Sequence, residues 1–209
     1  MMKKEKERSK DMESVRELLI EQMRDLYDAE KQLVKALPKM AKAASNEDLR
    51  EAFENHLEET RQHVARMERA FEMMDAPAKS KPCEGMKGLV EEGKETVEED
   101  LTEPLLDSAI ICAAQKVEHY EIAGYGTLIA WANSIGLQDV AEVFEETLRE
   151  EKEADEKLTQ VSGDILARAV ETEGVADAEG KEEEQVVTAS RKGGAKESRS
   201  PRKTRRQAS

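Results

Sequence analysis

A chain of 209 residues with net charge −14, 38% charged and only 3% aromatic residues already excludes several classes of protein. No apolar run approaches the roughly 18 residues that cross a bilayer, and so acidic a surface repels nucleic acid and attracts cations, although solubility alone accounts for it and charge by itself decides nothing. Met1 to Lys10 is too charged for a secretory leader, because no apolar stretch follows Lys3 and Lys4, and this points to the cytosol.

From Met12 onward the pattern is helical, rich in Ala, Leu, Glu, Lys and Met. Helix 1 is predicted over about Ser14 to Ala44, with an inward stripe of Val15, Leu19, Leu26, Leu33, Leu37 and Met40 at spacings of three and four. Ser45 or Asn46 then offers a new N-cap before the acids Glu47 and Asp48. Helix 2 runs to about Met74 on Leu49, Phe53, Leu57, Val64, Met67 and Phe71. So short a turn makes helices 1 and 2 antiparallel neighbours.

Pro77 and Pro82 force a loop over 75–82, and Cys83 to about Glu98 reads as a short helix. Thr102 caps the third long helix, with Pro104 tolerated in its first turn. Its stripe is Leu105, Ile110, Ala113, Val117, Tyr120, Gly124, Leu128 and Trp131, and Gly136 stands as the C′ residue. Cys112 falls in an apolar run and reads as a buried small hydrophobe, and both cysteines are expected to be reduced. The last long helix runs from Gln138 to about Arg168 on Val140, Phe144, Leu148, Leu158, Val161 and Ile165.

Tight connections within each pair and a long crossover between the pairs predict an all-α, ferritin-like four-helix bundle: two antiparallel hairpins joined by a crossover carrying a short helix. The layout expected is a flexible N-terminus over 1–11, the bundle over 12–169 and a disordered tail over 170–209. Residues 171–189 carry seven acids and one lysine, whereas 190–209 carry eight basic residues and one acid. The basic half could touch phosphates in a salt-sensitive way. A solubilising tail that folds back on its own acidic half is the favoured reading.

The unusual feature is carboxylate where a core should be apolar. Glu30 lies on the leucine stripe of helix 1, four after Leu26 and three before Leu33. His56, Glu59 and His63 share the face of Phe53 and Met67; Glu118 and Glu121 flank Val117 and Gly124; Glu151 falls between Leu148 and Leu158. Facing acids repel unless cations separate them. A pair of divalent ions resolves the repulsion, and carboxylate with imidazole suits iron or manganese. One carboxylate per helix (Glu30, Glu59, Glu118, Glu151), then Glu121, with His56 or His63 supplying nitrogen, is the expected ligand set. The halves also echo each other: Phe53-Glu54-x-x-Leu57-x-Glu59 recurs as Phe144-Glu145-x-x-Leu148-x-Glu150.

The segments Asp28 to Met40, His56 to Thr60, Lys81 to Leu89, Ala113 to Thr127 and Glu150 to Leu158 together resemble the YciE/YciF group of bacterial ferritin-like proteins. The likeness covers about residues 14 to 165. It implies a dimetal bundle linked to stress responses, with no settled reaction. One departure concerns the histidines. Ferritin-like proteins usually read Glu-x-x-His on helices 2 and 4, but here helix 2 reads His56-x-x-Glu59 with His63 further on, and helix 4 has none. The carboxylates therefore carry the assignment, and the choice of histidine stays open.

These readings lead to an iron-binding, ferroxidase-like protein with two ions per bundle. The alternatives are a manganese or iron enzyme that destroys peroxide, and a non-catalytic stress protein acting through its surface or tail. A homodimer is the default assembly, since symmetric dimers are the commonest.

Overall fold

The computed structural model describes the backbone of residues 14–193 and the side chains of 14–171. The described residues form five helices: α1 (Val15–Ala43), α2 (Glu47–Met73), α3 (Glu84–Val97), α4 (Glu103–Ser134) and α5 (Gln138–Gly193). None of them is long and apolar enough to cross a membrane.

Local chemistry sets the helix ends. The Ser14 side chain accepts from the Glu17 amide at 3.2 Å, and Asn46, rather than Ser45, caps α2 by accepting from Leu49 at 3.0 Å. Cys83 caps α3, and Thr102 precedes α4 with a proline in its first turn. Gly136 takes a φ of 78° between α4 and α5, a conformation that L side chains rarely adopt.

Leu19, Met23, Leu26, Leu33 and Leu37 of α1 are buried against Leu49, Phe53, Met67 and Phe71 of α2 and the inner faces of α4 and α5. Burying each such side chain stabilises the bundle by about 1.5–3 kcal/mol. Helices α1 and α4 run antiparallel: Tyr125 meets Glu30 towards one end, and Asp107 meets Ser45 at the other. Helices α2 and α5 are also antiparallel, with Arg66 beside Glu146 and His56 beside Glu151. The crossover makes α2 and α4 parallel. This is the ferritin-like arrangement the connection lengths predict.

Two contacts fix how the hairpins meet. The buried carboxylate of Asp107 accepts from the Ser45 amide (2.8 Å), the Ser45 hydroxyl (2.6 Å) and the Asn46 amide (2.9 Å), pinning the α1–α2 turn to α4. On α3, a Cβ at Gly85 would stand 2.8 Å from the Tyr120 ring, so glycine lets the crossover helix seat against α4. The start of α3 is tied to α1, where the Cys83 amide donates to Asp28 at 3.0 Å and Gln32 donates to the Cys83 carbonyl at 3.1 Å.

Three expectations are corrected here. Cys112 is exposed, because the buried positions of α4 follow the helical period through Ile111, Ala114 and Glu118 and turn Cys112 outward despite its apolar neighbours. Val15, at the first position of α1, is 38% exposed. Helix α5 continues past Arg168 to Gly193. No proline interrupts that stretch, and its two internal glycines, Gly174 and Gly180, cost only about 1 kcal/mol each in a helix. The chain divides into a unit ending at Leu166, which is the bundle, and a second beginning at Ala167, which is helical through Gly193. Residues 1–13 and 194–209, with the expected N-terminal segment and most of the basic arm, lie outside the described residues.

Candidate metal centre

Six of the seven side chains singled out in the sequence meet inside the bundle. Glu30 comes from α1, His56 and His63 from α2, Glu118 and Glu121 from α4, and Glu151 from α5, and none is more than 6% exposed. They form two groups, His56–Glu118–Glu121–Glu151 and Glu30–His63–Glu151, whose donor atoms lie within 4.8 Å of one another. Glu151 belongs to both.

Glu59 is the seventh and stands apart. Its side chain is 42% exposed, and its Oε2 lies 3.2 Å from Nδ1 of His56. Helix α2 thus contributes two imidazoles and no carboxylate to the cluster, where one carboxylate from each helix was expected. At 100° per residue, His63 falls about 20° from His56 around the helix, while Glu59 falls about 60° away, on the flank.

Each imidazole is held from outside by one nitrogen and faces inward with the other. Nε2 of His63 meets Glu150 at 2.9 Å; Nδ1 of His56 meets Glu59. The inward atoms, Nδ1 of His63 and Nε2 of His56, have no hydrogen-bond partner. Nor do Oε2 of Glu30, Oε2 of Glu118, or either oxygen of Glu121 and Glu151. Buried polar atoms are almost always satisfied, and these eight lie close enough together for a shared cation to satisfy them. An imidazole oriented by an outer carboxylate is the arrangement metal-ligating histidines adopt. Four carboxylates and two imidazoles suit hard or borderline divalent ions. The residues present fit a metal ion.

The electrostatics agree. Burial pushes Glu118 up to about 8 against the pull of His56. Burial, then the neighbouring acids, lift Glu121 well above the carboxylate range, and burial raises Glu30 although His63 opposes it. Glu151 alone falls below its ordinary value: burial would raise it, but its approach to His63 and the pull of both imidazoles prevail. Burial disfavours protonated imidazole, yet the carboxylates outweigh it, lifting His56 to about 9 and His63 to about 11. The cluster demands positive charge, supplied either by protons or by metal.

Supporting residues were less visible in the sequence. The buried Tyr125 hydroxyl donates to Oε1 of Glu30, and Arg66 bonds Glu150, which in turn holds His63. Tyr125 reads as core packing, although it falls four after Glu121 and seven after Glu118, a spacing that places it on the same face. The short internal repeat found Glu150 without revealing its role. It aligns Glu59 with Glu150, and these are the two carboxylates that orient His56 and His63. The pseudo-symmetry lies in the outer supports, not in the inner donors.

The fold and the cluster define a ferritin-like helical bundle with a buried Glu/His centre able to hold metal. The chain belongs to the family described as "Domain of unknown function (DUF892)", which it matches over residues 14–171. Protein YciF of Escherichia coli (strain K12) is 44% identical over 152 residues, covering 72% of this chain and 92% of that protein. The crystal structure of the E. coli stress protein YciF matches with a TM-score of 0.73 at 43% identity, over 75% of this chain and 99% of that one. YcfI from Rhodopseudomonas palustris matches with a TM-score of 0.70 at 42% identity, over 72% of this chain and 96% of that one. The chain is therefore a homologue of a bacterial stress protein.

Proposed function

We propose that this protein binds a pair of iron ions in the Glu/His centre and serves iron handling under oxidative stress. The observation that supports this reading is the set of eight orphaned donors, with one glutamate shared between two groups. Glu30 and His63 would hold one ion and His56, Glu118 and Glu121 the other, with Glu151 a member of both groups. Four carboxylates balance the charge of two divalent ions, while the imidazoles stay neutral with their outer nitrogens bonded to Glu59 and Glu150. When bound, ferrous iron supplies electrons to dioxygen or peroxide, which is the ferroxidase reaction. The protein's part is to keep the centre buried, to fix each imidazole's tautomer, and to place the Tyr125 hydroxyl on Glu30. The stress role rests on the likeness to E. coli YciF.

The test is to strip the protein with chelator, reload it anaerobically with Fe²⁺ and count iron per chain by elemental analysis, then follow oxygen uptake. Two irons per chain and oxygen consumed in proportion to iron support the reading. Less than one iron per chain overturns it.

A further inference from the structure

The two sides of the centre are closed differently. Behind His63, Glu150 is clamped by Arg66, which also reaches Glu146 at 2.9 Å, so a cation approaching there meets a committed guanidinium. Behind His56 there is no such clamp. Glu59 bonds the imidazole and, among the described residues, has no lysine or arginine partner. Beside it, a cavity of about 230 Å³ opens between α2 and α5. Glu59, Glu153, Ala154 and Lys157 line it towards solvent, while the buried His56 and Glu118 line its depth.

We propose that this cavity is the route by which divalent cations enter the centre, with Glu59 as the carboxylate that receives them and passes them on. This deepens the metal-binding reading and rests on it. Glu153 is paired with Arg149 at 3.7 Å, which leaves Glu59 as the carboxylate of the mouth with no lysine or arginine partner among the described residues and the group that attracts cations there. The space accommodates an ion with several of its waters, each needing ~30 Å³. The distances form a relay: Glu59 is 3.2 Å from Nδ1 of His56, and Nε2 of His56 is 3.6 Å from both Glu118 and Glu151. Ala52, Phe53 and Leu158 also line the cavity, so Glu59 and Glu118 are the carboxylates along it that can replace an ion's waters. The exposure of Glu59, which sets it apart from the inner donors, is what this role requires.

The probe is Co²⁺, whose absorption on binding reports loading in a stopped-flow instrument, mixed with the chelator-stripped full chain. Ala154→Trp narrows the mouth without touching an inner donor. It is expected to slow loading roughly tenfold or more while leaving the final cobalt per chain unchanged. Glu59→Gln keeps an acceptor for His56 but removes the charge. Its loading should be roughly tenfold slower at low salt, and the gap to wild type should shrink as ionic strength rises. Wild-type loading rates in Ala154→Trp overturn the route, and a Glu59→Gln deficit equally large at low and high salt overturns the transfer role. Failure of the wild type to take up cobalt at all is a different result, which counts against the metal-binding reading itself. If Ala154→Trp does not fold, the salt dependence of Glu59→Gln still decides the role of the mouth.

Discussion

Nδ1 of His63 lies 2.9 Å from Oε1 of Glu151, a close approach between two fully buried side chains. Both belong to the donor group that includes Glu30, and Glu151 belongs also to the one formed with His56, Glu118 and Glu121. A proton on the imidazole, or a cation between the two groups, offsets the cost of burying the carboxylate there.

Because Glu151 belongs to both donor groups and Glu30 to one, their loss should differ. Glu151→Gln is expected to abolish metal binding, and Glu30→Gln to reduce it from two ions toward one. Glu54→Gln and Glu145→Gln, on exposed positions of α2 and α5, should keep the wild-type content. Elemental analysis of the four variants checks this. Loss of metal from Glu54→Gln with retention in Glu151→Gln would mean that the helical register is rotated.

The metal-stripped protein should lose stability as pH rises. In the fold Glu118 is pushed up to about 8 and Glu30 and Glu121 are also raised, so the buried carboxylates keep protons at neutral pH. The unfolded chain releases those protons from about pH 4.5 upward, so the folded state binds more protons across the interval and stability falls through it. Metal needs deprotonated donors, so its stabilising effect grows over the same range. Thermal melts from pH 5 to 8.5, with and without metal, should therefore diverge. A flat melting temperature in the stripped protein would sink the prediction.

Gly124 and Gly126 should respond in opposite senses to alanine. A Cβ at Gly124 would stand 2.8 and 2.9 Å from the methyls of Leu26, which is fully buried and has nowhere to retreat; at Gly126 it meets nothing within 4 Å. Gly124→Ala should cost about 1–3 kcal/mol through overpacking between α1 and α4, despite its better helix propensity. Gly126→Ala should gain up to about 1 kcal/mol. Denaturant melts of both variants measure the two signs.

The two thiols should be sharply distinct. Cys112 is exposed, whereas Cys83 is buried, 2.9 Å from the Tyr120 hydroxyl and 3.1 Å from Asp25, and burial pushes its thiol up. A thiol reagent at neutral pH should modify one cysteine per folded chain and two in denaturant. Peptide mapping should place the first label on Cys112; fast labelling of Cys83 in the native state would contradict the packing of α3 on α1.

Sequence by itself determined the helices, their pairing and the level of the site. Period fixes which face of a helix is inward, and connection length fixes which helices run antiparallel, so Glu30, Glu118 and Glu151 could be placed inside before any neighbour was known. Tertiary structure decided between residues close together around one helix. Glu59 and Glu121 each follow a site residue by three, about 60° round the helix. Glu121 is buried and Glu59 is not, because α4 is covered by α1 and α3 as well as by its hairpin partner, while the flank of α2 bearing Glu59 faces solvent. The same limit left the choice of histidine open: register places both His56 and His63 on the inner face, but only the packing shows both outer nitrogens held, by Glu59 and by Glu150, the latter brought to His63 by α5 returning antiparallel to α2. Angles around one helix are written in the chain; which helix covers each angle is written only in the packing.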